Sequence, residues 1–415
     1  MMSESKRISK LGNPSSRRAF FASIAGASLA SATAIGANNR IRVGIIGCGA
    51  RGKYLIGNLP EEVRVVSLCD CAKSRLTETL APRKAFVQVL ERFQQMDARN
   101  VSNHQDYRRL LDERSVDAVM IATPDHHHVP AAILACQAGY DVYVEKPLSL
   151  QLNEARKLID VARHEKRVVQ VGSQQRSMEM NVLGCTFVRE GGLGRISKVE
   201  LPAYPGPMTL AQLARESFAA IPSEFVPPSD SIDWKLFLGT SEPTSYDARL
   251  WMKEDFKIGS LLWRGWDLFR NFSGHLMTNW GAHSVDMVQL ALGRDHTGPV
   301  AIEAHRPQSV IELAKYWSAK TPPPLTDHLA NEDERRFWPV TMRYADGVEL
   351  LFSGGLDSII FHGDRGRMTM RRNFFSVDPP ELAPSAPGPE VAEKWKGDGN
   401  VARPHIENWL DCIRS

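Results

Sequence analysis

Ile41-Arg42-Val43-Gly44-Ile45-Ile46-Gly47-Cys48-Gly49-Ala50-Arg51-Gly52 is the stretch on which the fold turns. Its first six residues read as a buried strand. The next six spell Gly-x-Gly-x-x-Gly, and a helical stretch follows. Between a strand and a helix, each glycine has a task. Gly47 makes the tight turn, Gly49 lets a pyrophosphate approach the backbone, and Gly52 lets helix pack on strand. The N–H groups of Ala50 and Arg51 open the helix, where a phosphate is attracted. Alone, such a motif is weak. Here a second strand, Val63 to Leu68, runs into Asp70, 23 residues after Gly47. A carboxylate there accepts hydrogen bonds from an adenosine ribose and repels a 2′-phosphate. The combination points to NAD, with NADP less favoured despite Lys73 and Arg75 nearby.

The alternation continues. Asp117 to Ala122 is a short apolar strand, and Val129 to Ala138 a helix. Asp141 to Glu145, a helix from Leu152 to His164, and Val168 to Val171 follow. Strands alternating with helices predict a parallel sheet covered on both faces, with ligands beyond the carboxyl ends of the strands. Two segments fall at such ends: Thr123-Pro124-Asp125-His126-His127-His128 and Glu145-Lys146-Pro147. Three adjacent histidines project in different directions and no acid or cysteine is spaced to complete a metal site. A loop touching nicotinamide ribose or substrate is the better reading, and no metal is assigned. Residues 81–103 read as a polar, partly helical insertion.

Further on, Thr341 to Tyr344, Val348 to Phe352 and Ile359 to Phe361 alternate around Asp346-Gly347 and Gly354-Gly355, as antiparallel strands do. One exposed sheet face would suit a homo-oligomer, a dimer or tetramer. Five of nine tryptophans (234, 251, 263, 266 and 280) lie between Asp233 and Trp280. Aromatic faces suit the CH faces of sugar rings. Trp263, Trp266 and His275 are the candidates for substrate contact.

With Gly47 to Gly52, Asp70, the Thr123 to His128 loop and Glu145-Lys146-Pro147 in this order, the chain resembles the Gfo/Idh/MocA oxidoreductases. The likeness extends through Val171-Gly172-Ser173-Gln174-Gln175-Arg176 and Asn279-Trp280-Gly281-Ala282-His283-Ser284-Val285-Asp286. It implies an α/β protein: an N-terminal Rossmann domain and a C-terminal α/β domain with a large, mainly antiparallel open sheet. It also implies a tightly held nicotinamide cofactor and a sugar, polyol or keto-sugar substrate. Thr123, Pro124, His128, Glu145, Lys146 and Gln174 would face the cofactor, and Arg176 the substrate. Lys146 and His283 would handle the substrate hydroxyl. The chemistry agrees: a hydroxyl whose carbon gives up hydride must lose its proton to a base within reach. Lys146 serves if burial lowers its pKa. His283 is expected to open a helix, Ala282 to Leu292, whose N-terminus would disfavour the imidazolium. The family commonly carries Asp where this chain has Asn279. Asn279 can orient Lys146 or a substrate hydroxyl but relays no proton. Asp286, three residues past His283, lies on the same helix face, where it either orients the ring or stands as a solvated or structural acid.

The chain has 415 residues, with 51 Lys+Arg against 48 Asp+Glu. Five of the bases and one acid fall in residues 1–37, leaving 46 bases and 47 acids beyond. That balance removes the support for nucleic-acid binding. Ser16-Arg17-Arg18-Ala19-Phe20-Phe21 followed by an Ala/Ser/Gly-rich run resembles a twin-arginine (Tat) signal. The expected organisation is thus 1–37 leader, 38–171 Rossmann domain and 172–415 substrate and oligomerisation domain, in a periplasmic or otherwise exported protein engaging the Tat machinery. The cysteines (48, 69, 71, 136, 185 and 412) show no metal spacing and read as mostly buried thiols. From Pro404 an amphipathic helix runs to Ser415 without a cap, which reads as an end short of the full fold.

The function expected is an exported NAD(P)-dependent oxidoreductase acting on a sugar, polyol or glycoside hydroxyl or keto group. Two alternatives stand beside it. One is a redox-assisted glycoside hydrolase or lyase that recycles NAD in place, although the second motif lacks the usual wording of NAD-dependent glycosidases. The other is a catalytically impaired sugar- or nucleotide-binding relative, suggested by Asn279.

Overall fold

The computed structural model describes residues 40–202, 231–246, 265–305, 308–309, 336–337, 339–353, 358–384 and 402–415. The leader and Trp263 lie outside the described residues. β1 (Ile41–Ile46) runs parallel between β2 (Val63–Cys69) and β4 (Ala118–Ile121). β3 (Ser102–His104) extends one side, β5 (Asp141–Val144) and β6 (Val169–Val171) the other, in the order β3-β2-β1-β4-β5-β6. The strand order reverses between β1 and β4, and the crevice beyond their carboxyl ends is where such sheets bind ligands.

Side-chain alternation gives the sheet its two covered faces. Val43, Ile45, Met120 and Tyr143 join one core. Ile46, Val119, Ile121, Val142 and Val144 join the other. Helices α1 (Ala50–Gly57), α2 (Lys73–Leu80), α3 (Glu91–Met96), α4 (Tyr107–Asp112), α5 (His128–Gln137) and α6 (Leu152–His164) alternate with the strands. The supposed insertion at 81–103 carries α3 and ends in the edge strand β3, too short and polar to show as a strand in sequence.

After α7 (Glu179–Arg189) the second sheet begins with β7 (Ile196–Pro202). α8 (Trp234–Leu238) and α9 (His275–Ala291) precede β8 (Ala301–Ala304), and β9 (Gln308–Ser309) pairs with β10 (Arg336–Phe337). β11 (Val340–Arg343), β12 (Glu349–Ser353), β13 (Ile359–Gly363), β14 (Arg367–Arg371) and β15 (Phe374–Asp378) complete a sheet ordered β15-β14-β13-β7-β12-β11-β8. Every pair in it is antiparallel except β7 with β12. Its apolar face buries Val199, Leu350, Phe352 and Phe361 against Val188 of α7 and Met287 and Val288 of α9. A smaller cluster, Ala72, Ile232, Phe237, Phe269 and Phe272, folds the segments around α8 back over the end of β2.

The last helix, in the stretch expected as the second domain (172–415), packs against the first sheet. α10 (Arg403–Arg414) sends Ile406, Trp409 and Leu410 into the core shared by Val43, Ile45 and Tyr143. Trp409 meets Tyr143 edge-on with centroids 5.8 Å apart. The amphipathic face is therefore used by the first domain, far away in sequence. Cys48, Cys69, Cys136 and Cys185 are buried free thiols, as expected. Among the described residues no helix is long and apolar enough to cross a membrane.

Trp409 is wholly buried, so Trp409→Ala should cost about 3–5 kcal/mol through lost transfer energy and a residual cavity. Glu407→Ala on the exposed face should stay within about 0.5 kcal/mol. Urea unfolding of the two variants checks this, and equal midpoints would show that α10 does not contribute to the first domain.

Candidate active site

The glycine turn is built as its spacing requires. Gly47 has φ of +97°, and a Cβ there would lie 2.5 Å from the carbonyl of Ala122. A Cβ on Gly52 would lie 2.0 Å from the Gly47 oxygen. Both positions exclude any side chain. No side chain caps α1 at Gly49, so its first-turn N–H groups face the crevice. Asp70 grips the turn: Cys48 N donates to its Oδ2 at 2.8 Å and Ala72 N to its Oδ1 at 2.9 Å. Burial pushes its carboxyl up, while Arg75 and the two N–H groups pull it down. Two N–H donors leave lone pairs free for ribose hydroxyls.

Beyond β5, Lys146 Nζ donates to Asn279 Oδ1 at 2.6 Å and lies 3.2 Å from the Asn279 carbonyl oxygen. Burial lowers Lys146 to about 8, against Glu145 and Asp125, which raise it. His283 is one turn beyond Asn279 on α9 and is buried. The helix does not begin where expected. It starts at His275, so His283 sits in the helix interior and the helix-end account of its neutrality fails. Burial, and then the Lys146 cation, hold its pKa well down instead. Lys146, Asn279 and His283 are thus brought together.

Other expected contacts take different places. Arg51 donates through Nε to Glu145 Oε1 at 2.6 Å, tying the first turn of α1 to the end of β5. Gly172 leaves room for that carboxylate, since a Cβ there would lie 2.9 Å from it. His128 has Nδ1 2.6 Å from the Pro147 oxygen and Nε2 3.0 Å from the Thr123 oxygen. Both ring nitrogens face backbone carbonyls, so His128 staples the two loops from behind. His126 and His127 each bring Nε2 to 2.8 Å from the Phe237 oxygen, which holds the cover around α8 on the loop. Arg176 is taken up by Asp286, at 2.8 and 2.9 Å, and by Asp295 at 2.9 Å. It is therefore an ion-pair partner, and Asp286 answers Arg176, with no bond to His283. Trp266 packs against the Phe237–Phe272 cluster. Pro124 caps the turn at Asp125–His127.

Two features go beyond the sequence reading, which pointed to His275 and to the loop of Asp125 but not to Lys53, Asp267 or Ser273. Lys53 is fully buried under the glycine turn and donates to the Cys48 oxygen at 2.9 Å. Its position on the buried face of α1, with Gly52, Leu55 and Ile56, was the available clue. The second is a polar cluster. Ser273 Oγ lies 2.8 Å from Asp125 Oδ2 and 3.2 Å from Asp267 Oδ1, and His275 Nδ1 lies 3.1 Å from Asp267 Oδ2. Burial and the Asp267 charge raise Asp125 to about 7.

A dinucleotide fits this crevice. The uncapped helix end would take the pyrophosphate and Asp70 the ribose. Thr123 Oγ1 and Gln174 Oε1 are buried polar atoms without a hydrogen-bond partner beyond the sheet, positions a bound nicotinamide nucleotide would satisfy.

Residues 41–173 match the Gfo/Idh/MocA family model, described as an oxidoreductase family with an NAD-binding Rossmann fold. These residues therefore form an NAD-binding Rossmann domain. The chain is 27% identical over 158 residues to glycosyl hydrolase family 109 protein 1 of Shewanella sp. (strain ANA-3), 38% of this chain and 33% of that protein. Levoglucosan dehydrogenase of Pseudarthrobacter phenanthrenivorans is 33% identical over 91 residues, 22% of this chain and 23% of that one. The chain thus spans about a third or less of these relatives' length. In structure it is similar to the WlbA dehydrogenase of Bordetella pertussis, solved with NADH and UDP-GlcNAcA. The TM-score is 0.55 at 17% identity, covering 90% of this chain and 88% of that one, a likeness of fold.

Lys53→Met keeps the length of the side chain and removes the donor to Cys48. Leaving a buried carbonyl without it should cost about 1–3 kcal/mol, and NAD should bind more weakly because the turn loosens. Thermal unfolding and NAD titration measure both, and wild-type values in each would remove Lys53 from the cradle.

Proposed function

We propose that the protein is an NAD-dependent oxidoreductase that removes hydrogen from a carbohydrate CH–OH group, with Lys146 as the base. The observation that carries this reading is Lys146 Nζ held 2.6 Å from Asn279 Oδ1, beside buried His283, at the carboxyl edge of an NAD-binding sheet. Near pH 8 about half of Lys146 is neutral amine, whose lone pair can take a hydroxyl proton; in reduction the ammonium returns it. Asn279 fixes the direction of Nζ, and His283, kept neutral one turn further along the helix, is a second group able to hydrogen-bond a substrate hydroxyl. Bound NAD supplies the hydride acceptor for the carbon bearing that hydroxyl. A carbohydrate is favoured because the matched relatives carry sugar-directed names.

The glycosidase likeness favours a second reading. The same residues could oxidise a glycoside transiently, let a group leave by elimination from the acidified neighbouring carbon, and reduce the product, with no net use of NAD. Release of an aryl group from an aryl glycoside without added NAD would select this reading. Stoichiometric NADH from a free sugar selects the first.

Export is also proposed, resting on Arg17-Arg18 and the small-residue run of the leader. Fusing residues 1–37 to a reporter tests it. A reporter that stays in the cytoplasm, or one whose export survives Arg17→Lys/Arg18→Lys, counts against the Tat route.

For oxidation, the amine must be free, so the rate should rise with pH through an apparent pKa near 8. Lys146→Ala should cost about 100-fold or more in kcat. Asn279→Asp places a carboxylate against Nζ, which stabilises the ammonium, raises its pKa and moves the rising limb to higher pH. A pH–rate profile unmoved in Asn279→Asp, or full turnover in Lys146→Ala, would remove Lys146 as the base.

A further inference from the structure

The Asp125–Ser273–Asp267–His275 cluster is buried, and all four residues are less than a tenth exposed. Ser273 Oγ stands at its centre with three polar neighbours. It accepts the His275 N–H at 3.0 Å and touches one oxygen of each carboxylate. A hydroxyl has one proton to give. With both carboxylates ionised it satisfies only one of them, and two negative charges face the same oxygen. With one proton added, one acid donates to Ser273, Ser273 donates to the other, and every contact is a hydrogen bond. The geometry therefore has room for one extra proton shared between Asp125 and Asp267. His275 closes the far end on Asp267 Oδ2 and holds a φ of +55°, a strained value for a residue with a side chain.

This cluster stands next to the base. β4 and β5 pair Ile121 with Val144, so Asp125 and Lys146 leave adjacent strand ends toward the same crevice. On α9, His275, Asn279 and His283 recur every fourth residue along one face. His275 meets the cluster, Asn279 meets Lys146, and His283 follows. Lys146 is faced by Glu145, Asp125, Arg51 and Asp267. Asp125 is faced by Asp267, Ser273, Lys146 and the Gly274 backbone.

We propose that Asp125, bridged by Ser273 to Asp267 and His275, is the proton store behind Lys146, supplying the ionisable partner that Asn279 cannot be. This rests on the dehydrogenase reading above. During oxidation the substrate O–H bond breaks and its proton binds the Lys146 amine. Lys146 Nζ and Asp125 share no direct hydrogen bond, so one bridging water takes the ammonium proton as it gives one of its own to the ionised Asp125 carboxylate, which restores the amine and fills the shared position. Reduction runs the transfers backward. No electrons move in these steps. Asp125, Ser273 and Asp267 are positioning residues that act through Lys146.

The test uses the full-length protein with NAD bound. Asp125→Asn keeps the shape and can still donate to Ser273, but takes no proton. NAD affinity and substrate KM should stay within about twofold while kcat falls about tenfold or more. The rising limb should move to lower pH, because the Lys146 ammonium loses a neighbouring carboxylate. Ser273→Ala should lower kcat likewise. Infrared difference titration should show a protonated carboxyl in the wild type that is missing from Asp125→Asn. The proposal is overturned by an Asp125→Asn profile that matches wild type, or by equal loss of NAD affinity, KM and kcat, or by no protonated carboxyl. A wild type that turns over no sugar fails the underlying dehydrogenase reading, and the infrared titration still reports whether the cluster holds its proton.

Discussion

The short hydrogen bond from Lys146 Nζ to Asn279 Oδ1 joins the ends of the two domains, beside those of His126 and His127 with Phe237 and of Ser273 with Asp125. Lys146 follows a strand of the parallel sheet, and Asn279 sits on the long helix of the second domain. Burying an ammonium costs much unless it is paired, and the cheaper outcome is a shifted pKa. Here the partner is a neutral amide, so the shift is large enough to make the amine available. The rest of the site serves to hold that amine in place. Asp125 and Glu145 limit the shift, Arg51 engages Glu145, and His128 ties the loops that carry Asp125 and Lys146.

The first domain was readable because its determinants are local. Gly47 and Gly52 meet backbone within a few residues or at the next strand, and the strand–turn–helix setting announces that need. The parallel sheet followed from apolar runs alternating with helical ones. Lys146, Asn279 and His283 were legible only as a resemblance, since no periodicity pairs residues 133 positions apart, as Lys146 and Asn279 are.

What stayed hidden depends on distant partners or a local signal that misleads. Gly281 reads as a helix breaker, yet it lies inside α9 and is buried, so the helix starts two turns earlier than its sequence suggests. Arg176 and Asp286 lie in separate motifs, and nothing in the sequence pairs them. Their mutual ion pair spans 110 positions. Asp125 and Ser273 are separated by 148 positions. α10 shows an amphipathic pattern, which says that it packs and not where.

The position of α10 has a consequence for the site. His405 on its first turn brings Nδ1 to 2.8 Å from Ser177 Oγ and Nε2 to 2.8 Å from the Val171 oxygen, and the Gln170 side chain donates to the His405 oxygen at 2.6 Å. Val171 ends β6, and Gln174, with its unpartnered buried oxygen, follows three residues later. The same helix that fills the core with Trp409 therefore fixes the loop that presents Gln174 to the crevice. Core packing and cofactor geometry share one element, so loosening α10 also frees the loop that carries Gln174.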